Sequence, residues 1–151
     1  MKTNENIVSI QIPDEELEAI VRQVQELQNK LKPYLIALAN GSRRRGLKMS
    51  DKTLPFVEKA AGYAQSHAGF TPPYMEVEEL AIDLKAYGDL NKVFREVDQL
   101  HRNLNDTIIQ SGSEAFAEAL AYYQAVKQAA KMGRPNAQAV YEDLKKRFER
   151  K

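Results

Sequence analysis

The stretch EVEELAIDLKAYGDLNKVFREVDQLHRNLNDTIIQ, Glu76 to Gln110, decides the fold. Within it Leu80, Leu84, Tyr87, Leu90, Phe94, Val97, Leu100, Leu104 and Ile108 return every three or four residues, the repeat that lines one face of an α-helix. Glu76, Glu78, Glu79 and Asp83 crowd its start, where the positive end of the helix dipole favours acids. The spacing predicts one helix over 76–110, about 50 Å long at 1.5 Å per residue. Such a helix must either bend, with Gly88-Asp89 as the weakest place, or run beside an equally long antiparallel neighbour.

Upstream, Pro13 followed by Asp14, Glu15 and Glu16 reads as a helix start. Leu17, Ile20, Val21, Val24, Leu27, Leu31, Leu35 and Leu38 then form one stripe that keeps its phase through Pro33, so the expectation is a helix kinked at Pro33 and closed by Asn40-Gly41-Ser42. Ser50 and Asp51 are placed to cap a second helix carrying Leu54, Val57, Ala61, Ala64 and Ala68. Ahead of all this, Ile7 to Ile12 alternates apolar and polar residues, the pattern of a short strand or an ordered extended arm.

Downstream, Ser111 and Glu114 have capping-box spacing and predict a fourth helix with Phe116, Leu120, Tyr123, Val126 and Ala130 on one face. Gly133 ends it in a left-handed cap, and Pro135 starts a fifth with Ala137, Val140, Tyr141, Leu144 and Phe148 inward. So short a connection makes the last two helices an antiparallel hairpin. The expected architecture is all-α: residues 1–12 an extended arm, and 13–151 a single up-and-down bundle of four or five helices.

Composition narrows the chemistry. The 151 residues contain no Cys and two His, which excludes disulfides, thiolate metal sites and thiol nucleophiles. Lys and Arg number 22 against 21 acids, too even a balance for a global field that would attract nucleic acid or an anionic membrane. The chain begins on a polar stretch and has no run of 18 apolar residues, so the expectation is a cytoplasmic protein without a membrane partner.

Several short motifs carry a resemblance. They are Ser113-Glu114-Ala115-Phe116 with Tyr122-Tyr123, Lys127-Gln128-Ala129-Ala130-Lys131, and Tyr141-Glu142-Asp143-Leu144-Lys145-Lys146-Arg147-Phe148. Pro33-Tyr34-Leu35-Ile36-Ala37-Leu38, Gly46-Leu47-Lys48-Met49-Ser50-Asp51-Lys52-Thr53 and Pro72-Pro73-Tyr74-Met75 add to them. Together they resemble an uncharacterised family of short all-helical bacterial proteins, over nearly the whole chain. The resemblance implies a shared helical fold and transfers no activity, cofactor or catalytic residue. The family's turn after the equivalent of Leu38 reads Thr-Pro-Glu-Glu, and this chain has Ala39-Asn40-Gly41-Ser42 there.

No constellation supplies a catalytic set. Asp98 and His101 stand one helical turn apart, as a carboxylate and an imidazole on one metal would, but Ala64 occupies the matching position before His67. The serines at 42, 50, 111 and 113 sit at expected helix boundaries, outside any nucleophile-elbow pattern. No catalytic residue, cofactor or metal ligand is assigned. The densest cationic group, Arg43, Arg44, Arg45 and Lys48, has forks that match phosphate, and a second basic run closes the chain. No aromatic residue interleaves with Arg43, Arg44, Arg45 and Lys48 to stack a base. Residues 76–118 carry ten acids against four bases, and 119–151 eight bases against three acids, segments that can neutralise each other within a bundle or across a subunit contact. The functional expectation is a non-enzymatic interaction module, with a homo-oligomer or a protein as partner. The alternative is a nucleic-acid-binding accessory protein using Arg43, Arg44, Arg45 and Lys48.

Overall fold

A computed structural model of the chain describes residues 6–149. The fold is an all-α bundle with no strand among the described residues: α1 (Asp14–Leu31), a single turn α2 (Ser42–Arg45), α3 (Leu54–Ser66), α4 (Val77–Lys131) and α5 (Ala137–Lys145). It separates into two compact units. One takes the chain up to Gln11 and from Gln99 onward, and the other is Ile12–Asp98, with α4 contributing to each.

In the second unit α1 begins where the Pro13 carbonyl accepts the first helical bond, from Leu17 N–H at 2.9 Å. The expected kinked helix through Asn40 is corrected here. α1 stops at Leu31, a 3₁₀ turn covers Lys32–Tyr34, and the backbone is extended at Leu35. Pro33 has no N–H to offer the Asn29 carbonyl and its ring crowds that same group, so a stripe that keeps its phase is not enough to carry the helix past it. The sharp turn at Gly41, whose φ of 90° suits glycine, then opens the one-turn α2.

α3 starts at Leu54, later than the expected Ser50–Asp51 cap. Ser50 acts through its carbonyl, which accepts from the N–H groups of Thr53 and Leu54, both at 2.9 Å. Ala61 is buried and Leu54, Val57 and Ala64 are half-buried, so the expected face sits inward up to Ala64, whereas Ala68 lies beyond the end of α3 and is exposed. The Tyr87 hydroxyl of α4 donates to the Met49 carbonyl at 3.2 Å, tying the entry of α3 to α4. α4 passes straight through Gly88, where the Lys85–Asp89 ion pair bridges the glycine on the outer surface.

In the first unit α4 runs on to Lys131, which corrects the expected helix start at Ser111. A capping box needs its first residue in a non-helical conformation, and nothing forces one here. A single glycine costs a helix interior about 1 kcal/mol, too little to break so long a run. The helix ends as the sequence leads one to expect: Gly133 has φ 68°, and Gly133 and Arg134 N–H reach back to Ala130 and Ala129 carbonyls, both at 3.0 Å. Asn136, also left-handed at φ 65°, turns the chain into α5, which starts two residues beyond Pro135. α5 folds back on α4, with the Tyr123 ring 5.7 Å from Tyr141 and 5.0 Å from Phe148. Val126 is the buried hydrophobic residue of this unit among the described residues.

Candidate functional site

The apolar stripes read from the sequence are present on the helices, but they are not enclosed. On α1, Leu17, Ile20, Val21, Val24 and Leu27 are each 42–47% exposed, and the helix has no buried residue. On α4, Leu84 and Leu120 are half-buried as expected, but Phe94 is 62% exposed and Phe116 56%. The tyrosines divide likewise. Tyr87, Tyr123 and Tyr141 are half-buried, and Tyr34 and Tyr63 are exposed. The apolar stripes of α1 and α4 thus stay partly open to solvent among the described residues.

Clefts interrupt this surface in both units. Where α1 ends, Leu31 and Tyr34 face Ile82, Ala86, Leu90 and Val93 of α4 across a cleft of about 520 Å³, rimmed by Lys85 and Asp89. In the other unit, Phe116, Leu120, Tyr123, Leu144, Arg147 and Phe148 line a smaller cleft of about 180 Å³ between α4 and the chain end that folds back on it.

The N-terminal arm is anchored by a residue whose role the sequence disguised. Glu114, expected in a capping box, lies mid-helix and accepts from Ile7 N–H at 2.8 Å and Val8 N–H at 3.2 Å. Gln110, one turn earlier, donates to it at 2.7 Å. The Asn6 amide, in the orientation that satisfies both its ends, adds a bond to Glu114 at 2.5 Å and one to the Val8 carbonyl at 3.0 Å. Of the two readings of Ile7 to Ile12, the structure has the extended arm, whose Ile7 and Val8 N–H groups go to a carboxylate, with Val8 half-buried and Ile7, Ile10 and Ile12 outward. An acid one turn after a glutamine, inside an apolar face, was the signal available in the sequence.

The shifted titrations are those of anchors. The Gln110 bond, then the Ile7 and Val8 amides, hold the Glu114 carboxyl below its usual range. The Lys85 ammonium, bonded to it and reinforced by Lys92 at 3.6 Å, does the same for Asp89. Partial burial against α5, then the Tyr141 hydroxyl, push the Tyr123 phenol up. Each shift favours the ordinary ionisation state at neutral pH, whereas a general acid or base is tuned toward the working pH.

Arg43, Arg44 and Arg45 share the single turn of α2 and are exposed, with Lys48 exposed in the loop beyond. The Arg45 guanidinium folds over Gly41, within 3.5 Å of where a Cβ would stand. Asp98 is half-buried and His101 exposed on α4, and no three His, Asp or Glu gather in a metal-binding group among the described residues. No described helix is long and apolar enough to cross a membrane. The second basic run, at the chain end, reaches the described residues Lys145, Lys146 and Arg147; Lys145 and Lys146 pair with Glu142 and Asp143 one turn away, at 3.9 and 3.1 Å.

Comparison with family models, curated proteins and solved structures finds no match to this chain.

Proposed function

We propose that the chain is a non-enzymatic helical module that works by associating with copies of itself. The observation that supports this best is the exposure of the α1 stripe. An amphipathic helix takes most of its stability from packing its apolar face, and the 18-residue α1 buries no residue of that face. Among the described residues each unit encloses one, Ala61 or Val126, and a second copy offers both units more apolar surface to bury. Kinship with the bacterial family whose motifs the chain resembles, and a cytoplasmic setting, belong to the same proposal.

Light scattering of the purified chain across a concentration series tests it. The expected outcome is a species of at least twice the chain mass that dissociates on dilution or under mild denaturant. A monomer at tens of micromolar overturns self-association. Low-salt gel retardation with mixed RNA and DNA separates the other reading: no shift is expected, and a shift lost in the Arg43→Ala, Arg44→Ala, Arg45→Ala triple variant would favour nucleic acid instead.

A further inference from the structure

The stripe on α1 has a more specific arrangement than amphipathicity requires. Leu17, Ile20, Val24, Leu27 and Leu31 follow one another at intervals of three, four, three and four, the spacing of a coiled-coil seam. Val21 widens one flank of that seam. Along the other flank stand Glu16, Gln23 and Lys30, seven residues apart. This flank is self-complementary: reversed end to end about Gln23, it places Glu16 opposite Lys30, Gln23 opposite Gln23, and Lys30 opposite Glu16. The seam is self-complementary in a reversal centred one residue earlier, at Arg22, with Leu17 facing Leu27 and Ile20 facing Val24.

We infer that α1 pairs with α1 of a second copy as an antiparallel two-helix seam, about a two-fold axis at the level of Arg22. The inference rests on the self-association proposed above and names the surface that carries it. Charge argues for the antiparallel sense. In that arrangement the acidic first turn of one copy, Asp14, Glu15 and Glu16, lies beside Lys30 in the last turn of the other, matching opposite helix-dipole ends as well as side chains. In the parallel sense Glu16 would instead flank the second copy's Val21, and no opposite charges would meet across the seam. The contact is isologous, so it closes at two copies. The seam residues are each 42–47% exposed apart from Leu31, which is less so, and this is the surface the second copy would cover.

The absence of cysteine from the sequence allows a direct test. Arg22→Cys and Asn29→Cys, both exposed and on the outer face of α1, are spin-labelled in separate samples of the full chain, and distances between copies are read by double electron–electron resonance. Antiparallel pairing places the two Asn29 positions about 20 Å apart along the axis, given the 1.5 Å rise, and the two Arg22 positions level. The Asn29 label distance is therefore expected to exceed the Arg22 distance by roughly 5–10 Å. A second arm reverses charge. Glu16→Lys and Lys30→Glu singly are expected to weaken dimerisation on the order of tenfold, and the double variant to restore it to within about twofold. A dimer with equal label distances, or with no distance in range and no response to the charge reversals, overturns this seam while leaving self-association standing. A wild-type monomer removes both.

Discussion

Glu114 shows how one side chain can serve a segment over a hundred residues away in sequence. Its carboxylate takes the N–H groups that a strand neighbour would otherwise take from Ile7 and Val8, which is why an alternating segment stays an arm. The pH dependence follows from its lowered pKa. A carboxyl that is more acidic in the folded chain stabilises the fold at pH values above its ordinary range, and that contribution disappears as pH falls through the lowered value. Acidification below about pH 4.5 is therefore expected to release the arm, seen as a shared titration of the Ile7 and Val8 amide resonances. Glu114→Gln should raise amide exchange at Ile7 and Val8 at neutral pH and remove that titration. Unchanged amide shifts across this range in the wild type would contradict the anchor.

The helices test which sequence signals carry weight. Gly133 and Gly112 are both glycines near expected helix ends, and the structure gives them opposite roles. Gly133 sits at φ 68° in the helix-ending turn, so Gly133→Ala is expected to destabilise the chain by about 1 kcal/mol in urea unfolding. Gly112 lies within α4, with open space where a Cβ would go, so Gly112→Ala should stabilise by about 1 kcal/mol. Destabilisation by Gly112→Ala would instead restore the helix boundary that Ser111-Gly112-Ser113 suggests. Much of the fold is legible because it is local: the three-and-four repeat, the acids after Pro13 and the left-handed glycine at 133 all act within a turn or two. What is not legible depends on the competition between such signals. Pro33 outweighs a stripe that runs on in phase, whereas Ser111 and Glu114 fail to interrupt one. Glu114 takes its partners from the other end of the sequence, where spacing alone carries no information.

At the scale of the whole molecule, apolar patterning and enclosure part company. The same residues that make α1 and α4 readable as helices, among them Val24, Leu27 and Phe94, stay substantially exposed. The candidate site was legible only as the stripe itself. Its exposure depends on which surfaces meet, and periodicity is the same for a face turned into a core and a face turned toward a second copy. Arg43, Arg44, Arg45 and Lys48, the group that stood out by charge, lie on one helical turn and its loop and line neither apolar cleft. If association supplies the missing burial, unfolding must depend on concentration: the midpoint of thermal unfolding is expected to rise by several degrees between about 1 and 100 micromolar, because the folded state is the one that binds its copy. Sedimentation equilibrium of the wild-type chain at neutral pH addresses the central claim most directly. The account expects a reversible equilibrium reaching twice the chain mass, weakened by Val24→Asp on the α1 stripe. A single species of one chain mass throughout, with α1 still helical by amide exchange, would contradict it.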